Sequence, residues 1–265
     1  EDWLHGGVRV PITRPPHMRY LGVWMEPTLR WREHRRKLMA TIPARVRAVV
    51  HIGSLRGVAD PRLARDLGNA ILVPATEFAL DIWADSTEVP LEVAVRKAAR
   101  AIHGVPPSTT GAMALGELGW QSVAARGDAQ RLAFFFRLAF QSDDSFLHQV
   151  DVMGRARLRA CGRAGVGGGQ PSWHSRLRTL LRALDQPAQA YEDTMGYLNE
   201  VEADSVASSG VWARALVRAH YEGRWRAQLA ASRVAPWYVG LQPSLQFASY
   251  LDAYDGHTRR LRTQL

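Results

Sequence analysis

The sequence predicts a mainly α protein: a small β element, then a helical bundle, then a second, smaller helical region. Three observations carry that expectation. After Pro27 apolar residues recur at helical spacing almost everywhere. Strand-like stretches are confined to the residues before it. One Gly- and Arg-rich stretch, 154–171, has no periodicity. The 265 residues, 46% of them hydrophobic and nine of them Trp, suffice for one large domain or two small ones.

In chain order, VRVPI (8–12) and RYLGVWM (19–25) read as short strands joined by TRPPH into a hairpin. Residues 28–50 place Trp31, Leu38, Ile42, Val46 and Val49 on one helix face, with Pro43 as a kink. Asp60-Pro61 supplies an N-cap and a first-turn proline. That helix is expected to reach about Trp83, with Leu63, Leu67, Ile71, Phe78 and Ile82 inward and Pro74 as a second kink. A helix over 90–103 stops at Gly104. The loop PPSTT (106–110) ends in a capping signal, and helices follow at about 110–118 and 121–141. Residues 154–171 read as a flexible linker. Beyond it the spacing predicts helices over 172–184, 187–200 and 204–233, and one from about 244 to the end. The expected division is therefore 1–26, 27–153, the linker 154–171, and 172–265.

The formal charge is +9 and the sequence pI is about 10.4. All but two of the 34 basic residues are arginine, the exceptions being Lys37 and Lys97. Guanidinium pairs bidentately with phosphate and stacks on bases, so the balance favours a polyanionic partner. A GC-rich coding sequence produces the same arginine bias. The lone Cys161 excludes an internal disulfide and any Cys-based zinc site, and points to a reducing, intracellular compartment. No apolar run reaches membrane-span length, so no membrane partner is expected. The opening EDWLHGG is not a signal peptide and lacks a starting Met, so the chain reads as a cut piece of a longer one.

Site chemistry is sparse. The aspartates of SDD (142–144) lack the strand–turn–strand setting and the preceding aromatic of a two-metal polymerase site, since Gln141 occupies that place. YED (191–193) fails in the same way. GVGGGQ (165–170) has no Lys and Ser/Thr opening a helix behind it, so it is no phosphate loop. His148, His174, His220 and His257 stand without ligand partners at metal-binding spacing. Glu77 and Asp81, at i and i+4, read as helix-surface or buried hydrogen-bonding groups. The run Phe134–Phe136 reads as core, because three successive side chains cannot point one way on a helix. The basic run is different. Arg30, Arg32, Arg35, Arg36 and Lys37, then Arg45 and Arg47, surround the apolar stripe of the 28–50 helix, with Glu33 the sole acid among them. A solvated face explains such a run, and so does a phosphate-facing one.

MRYLGVWMEPTLRWREHRRKLM (18–39) resembles the end of the palm and the start of the thumb in reverse transcriptases of non-LTR retrotransposons. Tyr20, Leu21, Gly22 and Val23 match the family's strand, and His34 its helix histidine. LARDLGNAILVPATEFALDIW (63–83) is similar to the next family helix, with Phe78, Ala79 and Trp83 in place. VRKAARAIHGVPPSTTGAMALGELGWQSVAAR (95–126) is similar to the segment after it. The resemblance covers roughly residues 8–150. It is specific as an ordered series and weak at any single motif.

It implies a thumb-plus-linker fragment that positions a template–primer RNA/DNA duplex beside an upstream fingers–palm domain. The metal-binding aspartates, and with them Mg2+, belong to that upstream part. This chain alone then needs no cofactor and has no polymerase activity. The implied nucleic-acid contacts are Tyr20, Gly22, Arg30, Arg32, His34, Arg35, Arg36, Lys37, Arg45, Arg47, Arg96, Lys97 and Arg100. A nuclear setting follows from the same resemblance; a ribonucleoprotein, and an organelle as its location, belong to the host-captured alternative. The alternative is a host-captured, non-catalytic relative serving as a structural or interaction protein.

Overall fold

The computed structural model describes residues 2–5, 8–11, 15–27, 31–53, 60–83, 89–161, 172–232 and 237–248. The expectation of a mainly α fold with a small β element holds. The β element is not one hairpin but two. β1 (Asp2–His5) pairs antiparallel with β2 (Val8–Pro11), and β3 (Met18–Tyr20) with β4 (Val23–Met25). RYLGVWM is thus a hairpin by itself, not one strand of a longer one. Leu21 and Gly22 both have positive φ, 46° and 89°, as a tight two-residue turn of matching twist requires. Leucine there costs about 1–2 kcal/mol of backbone strain. Gly22 is demanded twice, by its φ and by Phe78, whose ring would lie 3.1 Å from an added Cβ.

α1 (Arg32–Gly53) runs through Pro43 and buries Leu38, Ile42 and Val49, with Trp31 and Val46 packed beside them. The expected 60–83 helix is broken into α2 (Pro61–Ile71), α3 (Val73–Glu77) and α4 (Leu80–Trp83). Asp60 caps α2 as its sequence promised, accepting from Arg62 N at 2.9 Å and Leu63 N at 3.2 Å. The inward face differs from the expected one. Leu63, Phe78 and Ile82 are exposed, while Leu67 and Ile71 are half-buried. The buried stripe is Pro61, Ala64, Gly68, Leu72, Thr76, Leu80 and Trp83. Small residues hold positions 64 and 68 because neighbours come too close there for large ones. A Cβ on Gly68 would sit 2.6 Å from Trp120 Cζ2, and one on Gly53 would sit 3.2 Å from Ala64 Cβ.

α5 (Val89–His103), α6 (Gly111–Glu117) and α7 (Val123–Ala139) follow, with Thr110 and Ser122 capping the last two. α5 and α6 close the first core against α1 and α2 around Trp83, Leu91, Val95, Leu115 and Trp120. α7 buries Leu132, Phe135 and Phe136 completely. Phe134 is half-buried, edge-on to Trp173 at 5.9 Å.

α8 (Phe146–Cys161) is a correction, because helix covers the first part of the stretch read as linker. Residues 162–171 lie outside the described residues. α9 (Trp173–Ala183), α10 (Gln189–Glu192), α11 (Thr194–Glu200) and α12 (Val206–Ala230) then build the second core around α7, with Leu177, Leu181, Tyr191, Tyr197, Ala213 and Val217. The second core thus draws on residues from both sides of the expected linker. α13 (Tyr238–Leu241) packs on Trp225 and Leu229 of α12. Residues 244–248 are not helical, in contrast to the helix expected from 244, and Phe247 bridges to Leu118. The residues after 248 lie outside the described set. No helix among the described residues is long and apolar enough to cross a membrane.

Candidate nucleic-acid interface

The β3–β4 hairpin is tied to the start of α1 by several contacts. The Glu26 carboxylate accepts from Glu33 N–H at 2.8 Å, serving one of the unpaired donors of the first helical turn. Trp24 N–H donates to His34 Nδ1 at 3.3 Å. The His34 ring packs edge-on against Trp83, centroids 4.8 Å apart. Trp83 Nε1 donates to Phe78 O at 2.7 Å, and Phe78 in turn covers Gly22. Lys37 Nζ lies 5.1 Å above the Trp24 ring. The separated motifs of the sequence thus converge on one packing cluster of Gly22, Trp24, His34, Phe78 and Trp83. Its effect is to fix the hairpin on the helix and hold Met18, Tyr20 and Leu21 out in solvent.

His34 therefore leaves the set of expected phosphate contacts. It is buried, and burial pushes its pKa down from the ordinary histidine value, favouring the neutral ring. Three arginines are also engaged internally. Arg45 Nη1 donates to Ile71 O at 3.1 Å, joining α1 to the end of α2. Arg96 Nε donates to Glu92 at 2.9 Å, and its stem lies on Gly111. Arg100 Nε donates to Thr109 O at 2.6 Å, closing the α5–α6 loop. All three are half-buried, so these contacts tie the guanidinium groups to the fold, unlike the exposed Arg36–Glu33 pair.

What faces outward is a stripe on α1. Arg32, Arg36, Ala40, Pro43, Ala44 and Arg47 are exposed at helical spacing, opposite the buried Leu38, Ile42 and Val49. Arg35 and Lys37 flank it, half-buried. Arg36 and Arg47 stand about 16 Å apart along the axis. The small residues between them leave room for a phosphodiester backbone to lie close. Glu33 tempers the N-terminal end. It accepts from Arg36 Nε and Nη2 at 2.8 and 2.7 Å, with Lys37 Nζ 3.8 Å away, and the Arg36 contact holds its carboxyl below the usual range. Tyr20 is exposed at the hairpin end, Gly22 forms its turn, and Lys97 is exposed on α5. Arg30 lies outside the described residues.

Asp143 and Asp144 sit in the exposed turn between α7 and α8, with His148 Nε2 3.6 Å from Asp143. Among the described residues no group of three His, Cys, Asp or Glu side chains is placed to hold a metal ion.

Two buried polar clusters escaped the sequence reading. Asp128 accepts from Arg131 Nη1 and from Tyr221 OH, both at 2.6 Å, stitching α7 to α12. Asp151 accepts from Arg155 Nε at 2.7 Å. It lies 3.8 Å from His174, whose Nδ1 meets Tyr191 OH at 3.2 Å. His174 thus has partners after all, at sequence separations no local pattern reveals. Compared with protein family models, curated proteins and solved structures, the chain matches none.

Proposed function

We propose that the chain is the duplex-gripping thumb and linker of a non-LTR retrotransposon-type reverse transcriptase. In this role it holds a template–primer duplex for an upstream catalytic domain. The observation that carries the reading is the convergence of the resemblance motifs. Residues quoted from two of the three stretches, 18–39 and 63–83, pack as one cluster that presents a hairpin tip beside an arginine stripe.

In this reading the labour is divided. Arg32, Arg36 and Arg47 meet phosphates, with Lys37 and Arg35 beside them. Such contacts give affinity and register but no sequence information. Tyr20 and Leu21 offer an apolar tip at the end of the bound duplex. His34 acts through packing, keeping tip and stripe in fixed relation. No residue of the chain performs chemistry in this reading. A shallow RNA-containing groove is met by shape and backbone.

The test is equilibrium binding of blunt and recessed duplexes of unrelated sequence, as DNA/DNA and RNA/DNA. Expected are affinities within a few-fold of one another. A preference of a hundredfold or more for one base sequence contradicts backbone gripping.

A further inference from the structure

A second surface lies away from the α1 stripe and shares no residue with it. A cleft of about 1130 Å³ runs along α7, with α3 and α4 on one side and α12 on the other. It is open because small residues meet there, among them Ala133 of α7 and Ala207 and Gly210 of α12. Its length along α7, from Arg126 to Arg137, is about 16 Å, enough for a few stacked nucleotides.

The two walls differ in chemistry. α12 brings Arg214 and Arg218 at i and i+4, both exposed. Arg218 donates to Leu245 O at 3.2 Å, and Arg214 has no acid within ion-pair distance among the described residues. The opposite wall brings Glu77 and Asp81. Glu77 is neutralised by Arg126, whose Nη1 lies 3.2 Å away. Burial holds the Asp81 carboxyl above its usual range. Arg126 itself is about nine-tenths buried in the cleft wall, and its Nε and Nη2 have no hydrogen-bond partner among the described residues. At the far end Arg137 lies over the Phe134 ring at 5.0 Å, and Trp173 backs that ring from the side. The cleft therefore combines arginines for phosphates, carboxylate and amide acceptors for base N–H groups, and a cation–aromatic ledge for stacking.

We propose that this cleft binds a single strand of nucleic acid, with phosphates on Arg214 and Arg218 and a base stacked against the Phe134–Arg137 ledge. It would hold an unpaired overhang while the α1 stripe holds the duplex, but it does not depend on that stripe. A single strand fits better than a duplex, because a trench between helices admits one backbone and its splayed bases.

The experiment uses fluorescein-labelled 12-mers of uridine and of thymidine, followed by anisotropy at fixed salt. Expected for Arg214→Ala/Arg218→Ala is a loss of about tenfold or more in single-strand affinity, with duplex affinity unchanged. Phe134→Leu is expected to weaken single-strand binding by about tenfold through lost stacking. The α1 variant Arg32→Ala/Arg36→Ala/Arg47→Ala is expected to show the reverse pattern. Photocrosslinking of a 4-thiouridine strand to wild-type protein is expected to label peptides from α7 and α12. It reads proximity without a mutation, and Arg214→Ala alone spares the Arg218 contact to Leu245. Unchanged single-strand affinity in both the double variant and Phe134→Leu overturns the proposal. So does crosslinking confined to α1, or displacement of the strand by inorganic tripolyphosphate at equal molar phosphate, which marks a general anion surface only.

Discussion

A histidine standing in a run of arginines reads as one more phosphate contact, yet His34 is held inside by Trp83 and by the backbone of Trp24. Its spacing from Leu38 and Ile42, at i+4 and i+8, places it on the apolar face, so the sequence did contain the signal. The surrounding charges concealed it. His34→Ala removes a packed ring and leaves the part-buried Trp24 N–H unmet, which is expected to cost about 1–3 kcal/mol. Duplex affinity of the folded fraction should keep its salt dependence, as urea denaturation and anisotropy titrations at several salt concentrations will show. Charge has a second consequence here. Burial depresses the pKa of both His34 and His174. The unfolded chain then binds more protons than the folded one just below the ordinary histidine value, about 6.5, and stability rises with pH through that window. The denaturation midpoint is expected to fall between pH 7 and pH 5. That drop should shrink in His34→Gln and again in His34→Gln/His174→Gln. Equal drops in all three proteins would mean that other groups govern the acid limb.

At the scale of the element, legibility followed the size of the buried side chain. α1 and α7 were readable because Leu38, Ile42, Val49, Leu132 and Phe135 are both large and inward. α2 was misread because its inward stripe is built from Ala64 and Gly68, while its large aliphatic Leu63 points outward. Hydrophobic periodicity weighs bulk, and close helix contact rejects bulk. The contrast is measurable. Gly68→Ala improves helix propensity by about 1 kcal/mol in an exposed setting. Here it is expected to destabilise by about 1–3 kcal/mol, because the new methyl meets Trp120 at 2.6 Å. Leu63→Ala should change stability by less than about 1 kcal/mol. Thermal melts of the two variants decide the point, and a stabilised Gly68→Ala would mean that Trp120 yields freely. The caps were legible for a different reason. Asp60, Thr110 and Ser122 act within three residues of themselves, so a local pattern suffices.

At the scale of the whole molecule, the long-range links were the part the sequence kept hidden. Asp128 with Tyr221, Trp225 Nε1 with Ala112 O at 2.9 Å, and Phe135 stacked on Tyr191 all cross the 154–171 stretch. A glycine-rich interval in the sequence says nothing about which helices pack across it. A chain ending at residue 161 leaves Leu132, Phe135 and Phe136 without the cover of α9 to α12. It is expected to lose cooperative unfolding and near-ultraviolet circular dichroism, and a sharp melt at the full-length midpoint would contradict the shared core. The exposed basic stripe, in turn, was legible as composition, but of the thirteen expected nucleic-acid contacts four are spent inside the fold, and one lies outside the described residues. The most direct measurement is the slope of log K against log salt for a B-form duplex, in wild type and in Arg32→Ala/Arg36→Ala/Arg47→Ala. Each phosphate neutralised contributes about −0.9 to that slope. Expected is a shallower slope by about two to three units in the triple variant, with weaker binding to every duplex and unchanged folding. An unchanged slope and affinity would make the stripe a solvated surface and leave the chain without a grip on nucleic acid at α1.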